Sequence, residues 1–216
     1  MTQDSDAPLR FFFHPRSRAR IVRWMLEECE ARYEPVQLEF RTTMKSAEYL
    51  AINPMGKVPA LTHGSTVITE SGAILAYLAE LFPEKRLAPA PGTAARGSYY
   101  RWLFFLAGPV EAGMSAKSQG FLEHQSDEQA LSAGYGRYDD VLATLRQAVE
   151  GRQYLCGDHF TAADVLMASY LRWGMMMGSL PALPAFKAYA EPLQQRPAAL
   201  RALALDEALD EALAAA

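Results

Sequence analysis

The sequence predicts two domains: a small α/β domain at residues 1–88 and a larger all-α domain at residues 89–216. Short apolar or alternating runs, which are typical of strands, are interleaved with helical patterns only before residue 88. The segment LAPAPG at 87–92 suits neither a helix nor a central strand, so it marks a linker. Helical spacing of apolar residues dominates the chain beyond it.

The first domain follows the order β-α-β-α-β-β-α. Its predicted elements are a strand at 9–13, a helix through 21–26, a strand at 33–40, a helix at 45–52, strands at 58–61 and 65–68, and a helix through 74–81. His63-Gly64 joins the last two strands as a hairpin turn. A β-α-β opening with a later antiparallel hairpin and a closing helix is the thioredoxin-like arrangement.

The second domain is predicted to hold four helices, at about 93–121, 128–150, 162–178 and 182–204. Thr161 and Asp164 have the spacing of a capping box, which assigns them a structural role at a helix start. The tail DEALDEALAAA has good helix propensity but little to pack against, so we expect a frayed terminal helix.

Composition excludes several classes of protein. The 216 residues carry a net charge of −4, which has the wrong sign for a nucleic-acid partner. No apolar run approaches the ~20 residues of a membrane span, and the acidic N-terminus does not resemble a signal peptide. The only two cysteines, Cys29 and Cys156, form no disulfide framework. We therefore expect a soluble, cytoplasmic protein with no membrane or nucleic-acid partner.

Three motifs in order carry a family resemblance. They read NPMGKVPAL at 53–61, TESGAILAYL at 69–78 and GDHFTAAD at 157–164. Together they resemble the cytosolic glutathione transferases over about residues 9–195. The resemblance implies a thioredoxin-like glutathione-binding domain and an all-helical domain that contributes the site for an electrophile. It also implies glutathione as co-substrate and a homodimer.

The resemblance implies which residues bind glutathione. The bond Val58-Pro59 is expected to be cis, so that the turn around Lys57, Val58 and Pro59 exposes backbone groups to the cysteinyl part of glutathione. Glu70 and Ser71 are expected to bind the γ-glutamyl end, with Ser71 as the N-cap of a helix whose N-terminus favours anions. Arg18 is a further candidate for glutathione binding.

Thiol activation is expected at the first strand-to-helix junction, HPRSRAR at 14–20. A thiol with a reference pKa near ~8.5 needs a hydroxyl donor or a helix N-terminus to ionise at neutral pH. In the family that the motifs resemble, the sulfur is activated by a tyrosine on the first strand or served by a cysteine near the start of the first helix. Here the first strand carries no tyrosine, and Cys29 lies about three turns further on, where we expect it to be packed. Ser17 is therefore the predicted catalytic residue. Ser17 as a mere helix cap, or Arg16 or Arg18 in its place, are the alternatives.

The arginines that crowd this helix start are expected to form a solvated basic face, from which one or two could also contribute to glutathione binding. They stand at positions 16, 18, 20 and 23.

The electrophile pocket is expected among aromatic and methionine side chains of the helical domain. The candidates are Tyr99, Trp102, Phe105, Met114 and Trp173, together with Glu111 and Met175–Met177. Such stripes are more often core than pocket, although methionines do adapt to varied apolar ligands.

The predicted function is addition of the glutathione thiolate to small apolar electrophiles, a detoxifying reaction. The alternatives are a glutathione-dependent peroxidase or isomerase, or a non-catalytic module that binds glutathione or another ligand. Deglutathionylation by a cysteine is disfavoured because the junction has none. The four histidines lack metal-ligand spacing, so no metal is expected.

Overall fold

The computed structural model describes residues 7–215 of the chain. These residues form two compact units, one made of residues 7–86 with 196–215 and one made of residues 87–195. The last helix therefore belongs to the first unit, although its sequence follows the helical one. Among the described residues, no helix combines the length and apolar character needed to cross a membrane.

The elements of the first unit follow the predicted order and gain one helix from the end of the chain. They are β1 (Leu9–Phe13), α1 (Ala19–Glu28), β2 (Tyr33–Gln37), α2 (Ala47–Leu50), β3 (Ala60–His63), β4 (Thr66–Thr69), α3 (Ser71–Leu81) and α10 (Pro197–Ala215). The second unit is helical. Its helices are α4 (Ala94–Phe105), α5 (Glu111–Ser118), α6 (Asp127–Ser132), α7 (Tyr138–Val149), α8 (Ala162–Met176) and α9 (Pro184–Gln194).

The four strands form one mixed sheet in the order β2-β1-β3-β4. β1 is parallel to β2 and antiparallel to β3, which is antiparallel to β4. In this register Ala60 faces Phe12 on one side and Thr69 on the other. The end of β1, the start of β3 and the end of β4 consequently meet at one edge of the sheet.

Alternation along β1 divides the core of the first unit into two faces. Phe11 and Phe13 point to one face, where their rings stack with centroids 5.2 Å apart. Phe12 points to the other and packs in a buried cluster that includes Leu38 and Tyr49. The run of three phenylalanines thus fills both sides of the sheet.

The expectation of a solvated basic face on α1 is wrong for Arg23. Its side chain is only 3% exposed, lies over the Phe13 ring at 4.2 Å and donates from Nε to Asp206 Oδ1 at 2.8 Å. Asp206 belongs to α10, which packs along α1. The tail is helical as expected, to Ala215, but the expectation that it has little to pack against is wrong, because it lies along α1 and buries this aspartate.

Three helices that were predicted to be continuous are interrupted in the structure, each for a local reason. The predicted helix at 128–150 is split between α6 and α7 around Gly136, whose φ is +71°. The predicted helix at 182–204 ends at Gln194, and α10 starts at Pro197, because proline suits the first position of a new helix. The predicted helix at 93–121 contains a π-helical turn, Leu106–Val110, that includes Pro109.

The capping interaction at the start of α8 is confirmed. Asp164 Oδ2 accepts hydrogen bonds from the backbone N–H of Thr161 at 2.7 Å and from its hydroxyl at 2.9 Å. The other carboxylate oxygen accepts from the Leu155 N–H and the Tyr189 hydroxyl. Since this buried carboxylate is fully used in tying the helical unit together, its role is structural.

Candidate active site

The three predicted glutathione-site segments converge at the sheet edge described above. The turn that carries Ser17 follows β1, the segment Lys57–Pro59 precedes β3, and Glu70 follows β4. Helices α1 and α3 pack together and both begin at this edge. Neither has an acidic residue in its first turn, although the Glu70 carboxylate directly precedes α3.

Ser17 lies in a tight turn between β1 and α1. Its hydroxyl donates to the His14 carbonyl at 2.7 Å, and its Oγ accepts the backbone N–H of Ala19, the first residue of α1, at 3.1 Å. Arg18, not Ser17, occupies the N-cap position and makes no side-chain capping hydrogen bond. The hydroxyl is therefore held at the N-terminus of α1.

His14 was not singled out by the sequence analysis, yet it organises this turn. Its Nδ1 accepts the Arg16 backbone N–H at 3.1 Å, and its carbonyl accepts the Ser17 backbone N–H at 3.1 Å. The only signal in the sequence is its place, directly after the apolar β1 run and before Pro15.

The segment before β3 contains the expected cis bond, between Val58 and Pro59. The carbonyl of Lys57 accepts hydrogen bonds from the Tyr49 hydroxyl at 2.6 Å and from Asn53 Nδ2 at 2.8 Å. Burial raises the pKa of Tyr49 to about 12, so its hydroxyl stays protonated and able to donate at neutral pH. Two buried side chains that the sequence analysis did not identify thus fix the backbone that leads into Val58.

Gly56 is required in this loop. Its φ is +57°, and a Cβ placed on it would lie 2.7 Å from the Met44 carbonyl oxygen. A backbone contact that close cannot be relieved by a side-chain rotation, so only glycine fits the turn. The glycine of the NPMGKVPAL motif therefore shapes the loop.

The expectation that Ser71 is the N-cap of α3 is wrong. The helix begins at Ser71, and Glu70 occupies the N-cap with φ +66° and ψ 122° and no side-chain capping bond. A non-glycine residue in this region costs roughly 1–3 kcal/mol, and such strain clusters at ligand sites. The exposed Glu70 side chain and the first-turn hydroxyl of Ser71 are both placed at the positive end of α3.

The predicted electrophile residues divide by burial within the helical unit. Tyr99, Trp102 and Met114 are at most 5% exposed and belong to its core. Phe105 and Trp173 are half-exposed. The rings of Trp102 and Phe105 meet edge to face with centroids 5.9 Å apart.

Neither cysteine is suited to nucleophilic chemistry. Burial raises the pKa of Cys29 to about 12, and its thiol lies 3.9 Å from the Leu78 carbonyl oxygen. This confirms that Cys29 is packed. Burial and the nearby Asp164 carboxylate raise the pKa of Cys156 to about 12 as well. Within residues 7–215, no group of three or more His, Cys, Asp and Glu side chains is arranged to hold a metal ion.

A thioredoxin-like unit with a cis-proline loop and a Glu-Ser helix start, joined to a helical unit, defines a glutathione-binding class of protein. Comparison with known proteins agrees. Residues 7–80 match the glutathione S-transferase N-terminal domain, and residues 101–197 match its C-terminal domain. The chain belongs to the glutathione S-transferase family.

The similar proteins include two glutathione S-transferases and one oxidoreductase. Glutathione S-transferase GST-4.5 of Xanthomonas campestris is 32% identical over 155 residues, covering 67% of this chain and 74% of the relative. The structure of a sphingomonad glutathione S-transferase in complex with glutathione is 32% identical and has a TM-score of 0.74. The match covers 92% of this chain and 98% of that one. The disulfide-bond oxidoreductase YfcG of Escherichia coli is 26% identical over 213 residues, which cover 93% of this chain and 96% of the relative.

Proposed function

We propose that this chain is a glutathione transferase that ionises the glutathione thiol at the β1–α1 turn and adds the thiolate to small apolar electrophiles. One observation carries the proposal. The segments that contain Ser17, Val58 and Glu70 meet at one edge of the sheet, where two helices begin. A ligand with two carboxylates and a thiol that must ionise is matched by two positive helix ends.

Each part of glutathione has a proposed partner. The backbone of Val58, fixed by the bonds to the Lys57 carbonyl, pairs with the cysteinyl segment. Ser71 binds the γ-glutamyl carboxylate, and the Glu70 carboxylate faces its ammonium group. Arg18 and Lys57 supply positive charge near the remaining carboxylate.

Ser17 is the proposed catalytic residue. Its hydroxyl hydrogen rotates freely about the Cβ–Oγ bond, so it can leave the His14 carbonyl and donate to the glutathione sulfur. A donor hydrogen bond together with the N-terminus of α1 stabilises the thiolate over the thiol. The sulfur then attacks the electrophilic carbon, and the electron pair of the broken bond leaves with the departing group.

The electrophile is proposed to be small and apolar, with the half-exposed Phe105 and Trp173 as its aromatic contacts. Tyr99, Trp102 and Met114 lie buried in the core of the helical unit, and the Trp102 ring contacts that of Phe105. In such a reaction the proximity of bound thiolate and electrophile supplies part of the rate enhancement.

Disulfide reduction is a second candidate, favoured by the match to YfcG over nearly the whole chain. In that reaction the bound thiolate attacks a disulfide and releases one thiolate. A second glutathione thiolate then attacks the mixed disulfide, giving oxidised glutathione and the second thiol. The chain's own cysteines take no part, because burial keeps both protonated.

A pH titration of the glutathione complex tests the proposal. Thiolate absorbance in the ultraviolet should show a bound thiol ionising well below the free value, and an electrophile screen should then give turnover. Disulfide substrates with a glutathione-reductase-coupled readout separate the second candidate from the first. Absence of glutathione binding would refute both.

We also propose a homodimer in the cytoplasm. On α4, Phe104 is 74% exposed and Tyr100 is 40% exposed one turn earlier, so this face of the helix offers apolar side chains to a partner. Two free cysteines suit a reducing compartment. Analytical ultracentrifugation should give a dimer for the native protein and a monomer for Phe104→Glu, and a native monomer would contradict the proposal.

A further inference from the structure

Three hydrogen bonds join His14 to the turn that carries Ser17. The His14 carbonyl accepts both the backbone N–H of Ser17 at 3.1 Å and its hydroxyl at 2.7 Å. The His14 imidazole accepts the backbone N–H of Arg16 at 3.1 Å through Nδ1. A single residue thus fixes the backbone of the turn and accepts the hydrogen bond of the Ser17 hydroxyl before glutathione binds.

The hydrogen bond at Nδ1 indicates the tautomer of the neutral ring. Because a backbone N–H donates to Nδ1, that nitrogen carries no proton, and the ring proton lies on Nε2. Nε2 is 3.6 Å from Glu39 Oε2, and the other Glu39 oxygen accepts from Gln37. The ring also packs on Phe40 with centroids 4.0 Å apart and is only 4% exposed.

The charged groups that act on the ring come from three segments. Glu39 follows β2, Arg16 lies in the turn itself, and Asp210 on α10 forms an ion pair with Arg16. Burial lowers the pKa of His14 below 6.5, Arg16 lowers it further, and Glu39 and Asp210 oppose the shift. A proton added to Nδ1 would point at the Arg16 N–H and break their hydrogen bond.

We propose that His14 is the positioning residue for Ser17: its neutral imidazole holds the Arg16 N–H, and protonation at Nδ1 releases the turn and misdirects the catalytic hydroxyl. The inference rests on the proposed function, since it assigns His14 a role in thiol activation. Because His14 is only 4% exposed, it is assigned a positioning role and not a catalytic one.

Two substitutions separate the acceptor from the ring. His14→Asn keeps an acceptor, because an asparagine Oδ1 bonds the N–H two residues ahead in an Asx turn, but it cannot titrate in this range. His14→Leu keeps apolar volume and removes the acceptor. His124→Asn, at an exposed histidine of the helical unit, is the control.

The measurements are kcat, KM for glutathione, the pKa of the bound thiol and the pH profile. For His14→Leu we expect kcat to fall about tenfold, since a displacement of ~1 Å can cost ~100-fold. The bound thiol should ionise at higher pH, while KM stays nearly unchanged. His14→Asn should restore most of kcat. On the acid side of its pH profile it should show only the ionisation of the bound thiol, whereas the native protein and His124→Asn should also show that of His14.

Unchanged kcat and thiol pKa in His14→Leu, beside a native enzyme that is active, would overturn the inference and leave the proposed function standing. A native protein that binds no glutathione would overturn the proposed function instead. If His14→Leu does not fold, imidazole nitrogen NMR of the native protein decides: a neutral ring with its proton on Nδ1 contradicts the inference, and one with its proton on Nε2 supports it.

Discussion

Arg23 on α1 and Asp206 on α10 form a buried ion pair, with Nε 2.8 Å from Oδ1 and neither side chain more than 3% exposed. The guanidinium also donates to the Tyr33 hydroxyl at 3.1 Å and lies over the Phe13 ring. Residues 183 positions apart thereby join the last described helix to the sheet that carries the candidate site.

Removing one charge of this pair should destabilise the protein strongly. Asp206→Asn leaves Arg23 buried without its counter-ion, and we expect a loss of about 3–5 kcal/mol. Urea unfolding measures it. Asp210→Asn, on the same helix but in the partly exposed pair with Arg16, is the matched control and should cost at most about 1 kcal/mol. Equal losses for the two variants would contradict a special role for the buried pair.

Ser17→Ala tests the assignment of the catalytic hydroxyl. Glutathione affinity should be nearly retained, but the bound thiol should ionise at higher pH and kcat should fall by about 10²-fold, a typical cost for a lost electrostatic donor. The thiolate absorbance of the complex and steady-state rates measure this. Ser118→Ala, at the exposed end of α5, is the control. Turnover of Ser17→Ala equal to that of the control would sink the assignment.

Ser71→Ala tests carboxylate binding at the start of α3. Loss of a hydrogen bond to a charged group costs about 1.5–3 kcal/mol, so the glutathione Kd should rise by about 10- to 100-fold. The melting temperature should barely change, because Ser71 is the first helical residue and not the cap. Calorimetric titration gives the Kd, with the exposed hairpin variant Ser65→Ala for comparison. An unaltered Kd would count against this site.

Asn53→Ala should loosen the loop before β3. Asn53 donates to the Lys57 carbonyl and accepts the Met55 N–H at 3.1 Å, so its loss removes one hydrogen bond from each of two backbone groups. We expect about 1–3 kcal/mol of lost stability and a higher KM for glutathione. Tyr49→Phe removes only one of the two donors to Lys57, and it should cost less. The opposite ranking would show that the tyrosine is the main clamp.

Stability should decline in mild acid because of His14. Its pKa is lower in the folded protein than the unfolded value of 6.5, mainly through burial. The neutral ring therefore contributes stability above pH 6.5 that is lost as the pH falls through the folded pKa. Melting temperatures from neutral to acidic pH should drop less for His14→Asn than for the native protein. Parallel curves would show that His14 does not titrate on unfolding.

Local patterns were sufficient to predict most of the first unit. The apolar β1 run, the alternation after Tyr33 and the Gly64 turn all reflect short-range physics, and the order of strands followed from them. The family motif indicated the cis bond at Pro59, which spacing alone could not. The Glu70 position was inferred from the same resemblance.

Long-range partners escaped the sequence reading. The sequence around Arg23 does not indicate that it pairs with Asp206. A basic helix face was therefore expected where the structure has a buried ion pair. His14 and Asn53 are single polar residues whose value depends on backbone groups brought close only by the turn and the loop. Helix breaks at Gly136 and before Pro197 depended on conformations that helical spacing does not encode.

The placement of α10 also sets an order of assembly during translation. The helical unit, residues 87–195, is complete in the nascent chain before residues 196–215 leave the ribosome. Domains generally fold as units during synthesis, but here the N-terminal unit includes residues 196–215, which are made after the whole helical unit. Until then Arg23 has the Phe13 ring without its counter-ion. A ribosome-stalled chain ending near residue 195 should therefore present a protease-resistant helical unit beside a protease-sensitive N-terminal one.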